Sequence, residues 1–152
     1  MDYREEFFLQ ISIVNGPNLN WLGKRETAIY GTQTWEKIFA DLQSWGKKEG
    51  IEVSWFQSNH EGVLIDYLQK INSETDGVLF NPGAYAHTSI ALRDCVSSLD
   101  IPVVEVHLSR LQKREPFRHH SYIAEVAQAS IAGFGPKGYM LALELLKNDR
   151  SQ

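Results

Sequence analysis

The 152-residue sequence has a single cysteine, a slight deficit of basic residues and no long apolar run. One cysteine, Cys95, excludes an intrachain disulfide framework and a multi-cysteine zinc site, and its place on the apolar side of a predicted helix is typical of a small core residue. The 15 Lys and Arg against 19 Asp and Glu give a formal net charge of −4, which disfavours nucleic acid and anionic membrane surfaces as partners. The first residues, MDYREEFFLQISIV, lack a signal-peptide cleavage site, and no stretch reaches transmembrane length. These absences favour a soluble protein of the reducing cytoplasm.

Several motifs of catalysis and cofactor binding are missing as well. The sequence has no P-loop, no G-x-S-x-G elbow and no H-E-x-x-H helix. The stretch GFGPKG, residues 133–138, matches G-x-G-x-x-G, but the chain ends before the acidic residue some ~20 positions downstream that a dinucleotide site needs. We interpret its glycines as close packing between a strand and a helix. The eight lysines fall in loops or on polar helix faces, so a Schiff base is disfavoured. We therefore expect no metal and no other cofactor.

What is present is a recurring pattern of an apolar strand followed by an amphipathic helix. The predicted strands are FFLQISIV, IEVSWFQ, GVLF, PVVEVHL and ASIAGF. Helices are predicted from about Thr34 to Lys48, around 63–71, from a cap at Thr88 or Ser89, and over GYMLALELLKN, while the basic loop SRLQKREPFRHH separates strands four and five. This alternation predicts one α/β domain over 1–152, a flavodoxin-like doubly wound five-stranded parallel sheet, with residues 149–152 as a loose tail.

Polar residues and histidines follow the predicted strands. NGPN follows strand one, His60 comes soon after strand two, NPG and then His87 follow strand three, and His107 lies at the end of strand four. Ligands of open parallel sheets bind at the carboxyl ends of the strands, near the point where the strand order reverses. The loops after strands one and three flank that point in the flavodoxin order, so we expect the site between them. Of the adjacent His119 and His120, at most one is expected to face it.

The polar stretch NGPNLNWLGKRETAIYG, residues 15–31, has neither a helical nor a strand period. It carries Arg25 and Tyr30. In a loop, an arginine is ordinarily a solvated cation and a tyrosine ordinarily a half-buried ring. Together these two residues would also suit proton abstraction. A tyrosine becomes a general base near neutrality only if its pKa falls by roughly 3 units, worth about 4 kcal/mol. A neighbouring guanidinium supplies a field of the required sign.

Five blocks of this sequence resemble the type II 3-dehydroquinate dehydratase family. They are NGPNLNWLGKRETAIYG, QSNHEG, NPGAYAHTSIALRD, EVHLS and REPFRHHSYI, spread from the first strand to the last. The resemblance implies a hydro-lyase of the shikimate pathway, the route to chorismate and aromatic amino acids, or of quinate breakdown. It implies trans-elimination of water from 3-dehydroquinate through an enolate, giving 3-dehydroshikimate without metal or Schiff base.

The resemblance also implies roles for individual residues. Tyr30 would take the proton at C2, Arg25 would favour its phenolate form, Asn18 would hold the water or dipole that stabilises the enolate, and His107 would protonate the departing C1 hydroxyl. The residues at 18–31 would form an active-site lid. The family usually has proline where this chain has Thr27, and we expect that change to loosen the empty lid and to alter KM or the closing rate at most.

Substrate binding and assembly are implied in the same way. The backbone N–H groups of Leu108 and Ser109, with the Asn81 side chain, would hold the substrate carboxylate, and His87 and Arg118 would bind the ring hydroxyls. Asp94 would reach the site of a neighbouring subunit, since the family forms trimers that assemble into dodecamers.

Two other functions remain open from the residues alone. One is a non-catalytic small-ligand-binding domain of the same fold, and the other is a nucleotide-binding flavodoxin. The first would be expected to have lost Tyr30, Arg25 or His107, all of which are present. The second is disfavoured because no loop is an evident phosphate cradle.

Overall fold

The computed structural model describes residues 8–149. Its five strands form one sheet in the order β2-β1-β3-β4-β5, and every neighbouring pair is parallel. The strands are β1 (Leu9–Asn15), β2 (Ile51–Gln57), β3 (Gly77–Asn81), β4 (Val103–His107) and β5 (Ala129–Ala132). This is the flavodoxin-like doubly wound order, so the predicted fold class is confirmed. The Phe7 start predicted for the first strand lies outside the described residues.

Helices cover both faces of the sheet, and their ends follow local chemistry. They are α1 (Thr27–Tyr30), α2 (Trp35–Glu49), α3 (Glu61–Ile71), α4 (Ile90–Ser98) and α5 (Lys137–Asp149). The Thr34 hydroxyl caps α2 by accepting from the Lys37 N–H at 3.4 Å. Ser89, rather than Thr88, caps α4 by accepting from the Leu92 N–H at 2.9 Å. Asp149, which was predicted to begin a loose tail, is the last residue of α5, and 150–152 lie outside the described residues.

Alternation along β1 divides the core into two layers. Ile11 and Ile13 pack with α2 and α5 on one face, while Val14 packs with α3 and α4 on the other. Successive strand side chains point to opposite faces, so a strand buried on both sides reads as one continuous apolar run. Cys95 is buried in the second layer, as expected of a small core residue. In the described part of the chain, no helix is long and apolar enough to cross a membrane.

The connection from β4 to β5 departs from the strand–helix pattern. It contains two 3₁₀ turns, Leu111–Lys113 and Pro116–Arg118, where the other crossovers have an α-helix. The basic loop predicted there is therefore partly structured. It lies at the carboxyl end of β4, which brings its arginines towards the strand ends.

The loops after β1 and β3 are pressed against each other. The Gly16 N–H donates to the Asn81 carbonyl at 2.7 Å, and a Cβ at Gly16 would lie 2.4 Å from the Pro82 carbonyl oxygen. Only glycine fits so close an approach of two backbones. This contact brings NGPN and NPG together at the point where the strand order reverses, as the sequence predicted.

Candidate active site

A cleft opens at the carboxyl ends of β1, β3 and β4, beneath the segment that precedes α2. Nine of the ten predicted site residues line it: Asn18, Arg25, Tyr30, Asn81, His87, His107, Leu108, Ser109 and Arg118. The tenth, Asp94, lies on α4 with its side chain 67% exposed, beside a separate cavity between α3 and α4. His60, at the start of α3, does not line the cleft either. The fold thus gathers residues from four separate stretches of sequence.

The polar stretch over the cleft has more regular structure than its sequence predicted. It contains a 3₁₀ turn at Leu19–Trp21 and the four-residue helix α1, which ends in Tyr30. Leu19 and Leu22 are buried in the core and anchor the stretch. The sequence signal was weak because elements of three or four residues span about one helical turn and cannot repeat an amphipathic pattern.

Two guanidinium groups lie against Tyr30. Arg114 donates to the Tyr30 hydroxyl oxygen at 3.0 Å, and its Cζ is 5.4 Å from the ring centroid. Arg25 places its Cζ 5.3 Å from the same centroid. Both guanidiniums place positive charge beside the Tyr30 side chain, and that of Arg114 is hydrogen-bonded to its oxygen. The sequence analysis missed Arg114, whose one signal was its place in the basic loop after strand four.

Arg114 is itself held in place by neighbouring groups. It donates a second hydrogen bond to the Ser109 hydroxyl at 3.2 Å, and its own carbonyl lies 2.9 Å from His119 Nε2. Its guanidinium is mostly buried, with 11% of the side chain exposed. Arg114 is therefore a fixed part of the cleft wall. Arg25, in contrast, pairs at 3.4 Å with the half-exposed Glu26 beside it.

His107 is paired with a buried carboxylate. Its Nε2 lies 2.8 Å from Oε1 of Glu105, which is fully buried two residues earlier on the same face of β4. Ser121 also donates to Oε1, and Ser130 donates to Oε2 at 2.7 Å. Burial alone would raise the pKa of Glu105, but the hydrogen bonds from His107 and the two serines outweigh it and hold that pKa below its ordinary value.

The ionised state of Glu105 determines which nitrogen of His107 faces a ligand. A carboxylate only accepts hydrogen bonds, so Nε2 of His107 must carry a proton. Nδ1 is then the nitrogen available to the cleft, and the negative charge of Glu105 lies behind the ring. Sequence analysis missed Glu105, although a lone acidic residue inside the apolar strand VVEVH was a visible signal.

His87 stacks on His107 with ring centroids 6.0 Å apart and planes at 22°. Its Nδ1 lies 2.7 Å from the backbone carbonyl of His120, so that nitrogen donates and Nε2 is left as an acceptor. Burial lowers the pKa of His87, with the His120 carbonyl opposing the shift. Neither His119 nor His120 lines the cleft; both hold other cleft residues in place.

Positive charge dominates the groups around the cleft. Arg25, Arg114 and Arg118 line it, against the single carboxylate of Glu26. Asn18 stands at the entrance in a left-handed backbone conformation (φ 67°), and its N–H donates to the Asn59 side chain at 3.0 Å. Within 8–149, no three His, Cys, Asp or Glu side chains are grouped so as to hold a metal ion. The arrangement suits an anionic ligand with several hydroxyl groups.

The fold and this cleft define a class: a doubly wound α/β domain whose tyrosine and histidine can transfer protons to and from a bound anion. Comparison with known proteins gives the family. Residues 9–147 match the family described as "Dehydroquinase class II". The chain belongs to this family, so the resemblance seen in its motifs is confirmed.

Individual relatives agree along nearly the whole chain. A 3-dehydroquinate dehydratase of Bacillus pumilus is 50% identical over 137 residues, which cover 90% of this chain and 93% of the relative. The 3-dehydroquinate dehydratase 1 of Agrobacterium fabrum is 51% identical over 138 residues, covering 91% and 95%. The crystal structure of type II dehydroquinase from Butyrivibrio crossotus matches with a TM-score of 0.89 at 44% identity, covering 91% of this chain and 97% of that one.

Proposed function

We propose that this chain eliminates water from 3-dehydroquinate to give 3-dehydroshikimate, with Tyr30 as the base and His107 as the acid. The observation that carries the proposal is the pairing of opposite proton-transfer groups in one cleft. Tyr30 is flanked by two guanidiniums, and His107 is backed by a buried carboxylate. The two groups thus have surroundings of opposite charge, which suits a base and an acid that act on one substrate.

The first step removes a proton from C2, next to the ketone. The Tyr30 phenolate takes that proton, and the electron pair of the C–H bond moves into an enolate. Arg114 and Arg25 hold the phenolate before the step, and the Arg114 hydrogen bond keeps the oxygen in a fixed position. Asn18, at the entrance, stabilises the enolate oxygen directly or through a water molecule.

The second step expels the C1 hydroxyl. The enolate collapses to the enone while the C1–O bond breaks, and the leaving oxygen takes a proton from Nδ1 of His107, so that water departs. Glu105 stabilises the imidazolium that gives this proton. The cycle ends with Tyr30 protonated and His107 neutral, and proton exchange with solvent restores both.

Substrate binding follows from the donors and acceptors around the cleft. We assign the carboxylate to the backbone N–H groups of Leu108 and Ser109 and to the amide of Asn81, because these three residues line the cleft and each can donate a hydrogen bond. His87 offers Nε2 as an acceptor for a ring hydroxyl. Arg118, whose side chain is 22% exposed and paired with Glu115, binds another.

We further propose that residues 18–31 act as a lid and that Asp94 acts in a neighbouring subunit. Asp94 lies on α4 and does not line the cleft of its own chain, so a role at the substrate requires a second copy, in a trimer and its dodecamer. The cytoplasmic location and the absence of a cofactor stay predictions.

The test is the absorbance rise of the enone product when purified protein meets 3-dehydroquinate. We expect Tyr30→Phe to fold like the wild type and to lose nearly all turnover, because the ring remains while the proton acceptor is gone. Tyr122→Phe, which changes a tyrosine outside the cleft, is the matched control. A protein that binds the substrate without producing enone would instead be the non-catalytic binding domain. Near-normal kcat in Tyr30→Phe would overturn the assignment of the base.

A further inference from the structure

Three buried polar side chains form a hydrogen-bonded chain behind the cleft wall. Tyr139, on α5, is fully buried; Asn15 and Asn81 are 1% and 3% exposed. The Tyr139 hydroxyl donates to Asn15 Oδ1 at 2.7 Å and accepts from Asn81 Nδ2 at 2.9 Å. Of the three, Asn81 is the one that lines the cleft.

The direction of this chain of hydrogen bonds is fixed at its Asn81 end. Oδ1 of Asn81 accepts from the Gly83 N–H at 3.2 Å, so the amide nitrogen faces Tyr139. That nitrogen can only donate, so the phenol oxygen accepts and its proton goes to Asn15. Burial raises the pKa of Tyr139, against a smaller opposing effect of the Asn81 hydrogen bond, so the hydroxyl keeps its proton at any working pH. The second N–H of Asn81 is what remains for a ligand.

Packing alone does not explain the hydroxyl. The Tyr139 ring lies in the apolar layer with Trp35, in an edge contact 5.2 Å between centroids, where phenylalanine would bury the same ring. A buried phenol is costly unless it is hydrogen-bonded. The two asparagines that satisfy it are register partners at the ends of β1 and β3. The polar group is therefore placed where it joins the two strand ends that flank the cleft.

We propose that Tyr139 is a positioning residue for substrate binding: with Asn15, it holds the Asn81 amide so that an N–H, and not the carbonyl oxygen, faces the substrate carboxylate. This inference rests on the proposed function for the identity of the ligand. Without the Tyr139 hydroxyl, the amide of Asn81 loses the shorter of the two hydrogen bonds that fix its rotation, and only the Gly83 N–H at 3.2 Å still holds its oxygen. It can then present its oxygen, which repels a carboxylate and accepts from a neutral amide.

The test compares two ligands that differ only in the carboxyl group. Quinate lacks the C3 ketone and cannot form the enolate, so its binding is measured by calorimetry without turnover; quinamide is its neutral counterpart. We expect the ratio of Kd for quinamide to Kd for quinate to fall about tenfold in Tyr139→Phe, which corresponds to ~1.4 kcal/mol of lost discrimination. With 3-dehydroquinate, KM should rise while kcat changes little, as expected for uniform binding.

Tyr67→Phe is the matched control, because its hydroxyl lies 3.2 Å from Ser12 Oγ in the opposite layer, away from the cleft. Its ratio should equal that of the wild type. Asn15→Ala removes the far end of the chain and should lower the ratio in the same direction, which keeps the test decisive if Tyr139→Phe does not fold. An unchanged ratio in either folded variant overturns the inference.

The outcomes also separate this inference from the proposed reaction. A wild-type protein that produces enone, with an unchanged ratio in Tyr139→Phe, removes Tyr139 from the site and leaves the reaction standing. A wild-type protein that produces no enone, with a lowered ratio in Tyr139→Phe, removes the reaction and supports the positioning role.

Discussion

Replacing Glu105 with glutamine removes the negative charge behind His107 and keeps the size of a fully buried side chain. The carboxylate lies 2.8 Å from His107 Nε2 and also accepts from Ser121 and Ser130. A serine hydroxyl can turn from donor to acceptor. Glutamine can therefore keep its oxygen towards His107 and turn its amide towards Ser130, and we expect Glu105→Gln to fold with most of these hydrogen bonds in place.

The size of the effect follows from the charge that is lost. A unit charge about 4 Å from the imidazolium contributes about 4 kcal/mol at an effective dielectric constant of ~20. The neutral amide still accepts a hydrogen bond worth about 1 kcal/mol. The remaining ~3 kcal/mol corresponds to a fall in kcat on the order of 100-fold at neutral pH. KM should change less, because the imidazolium is needed for the chemical step.

Enone formation at neutral pH and saturating 3-dehydroquinate is the assay. Ser130→Ala is the matched control: it removes one hydrogen bond to the same carboxylate and keeps the charge, so its kcat should fall by less than about tenfold. A folded Glu105→Gln protein with the kcat of the wild type would refute the role assigned to the buried charge.

Four further outcomes are expected. Arg114→Ala should lower kcat by about 10- to 150-fold, since a hydrogen bond to a charged group contributes about 1.5–3 kcal/mol; Lys113→Ala, its neighbour outside the cleft, is the control. The melting temperature should fall in acid, because the pKa of His87 lies below 6.5 in the folded protein and that of Glu105 lies below 4.5. As the pH drops through each value, the unfolded chain takes up protons before the folded one does, which favours unfolding. A melting temperature that rises on acidification would contradict this. Turnover should survive both EDTA and borohydride. A loss of turnover in EDTA that added metal restores, or a borohydride adduct on a lysine, would overturn the expected mechanism. Asp94→Ala should raise KM or weaken trimers measured by light scattering, and a fully active monomer in which this change is silent would remove Asp94 from the site.

The sequence predicted the sheet well because its signals are local. The second strand was predicted with the bounds that the structure has, and α2 to within one residue at each end, since Thr34 and Gly50 mark the helix boundaries chemically. The position of the cleft also followed, because parallel strands all end at one edge. A polar residue that follows any of these strands must lie near the others.

Contacts between residues distant in the sequence could not be predicted from local signals. Arg114 contacts Tyr30, from which it is separated by 84 positions, and this contact depends on the path of the β4–β5 connection, which has no regular period. Glu105 was closer to being predictable. A carboxylate in a strand covered on both faces must have partners, and the two-residue spacing to His107 places both side chains on one face. The sequence analysis interpreted this strand as apolar and therefore did not consider Glu105 as a site residue.

Thr27 illustrates how a correct local observation led to an incomplete conclusion. The absence of proline at this position predicts a looser lid, because φ is no longer fixed. In the structure Thr27 is the first residue of α1, a position that proline tolerates well. Glu26, just before it, adopts a left-handed conformation with φ 40° and ψ 47°. Proline restricts the preceding residue to extended backbone, so it would oppose that conformation. Threonine therefore changes which backbone conformation Glu26 can adopt, in addition to the looser backbone predicted for the proposed lid. Because Glu26 pairs with Arg25, the effect reaches one of the two cations that lie against Tyr30.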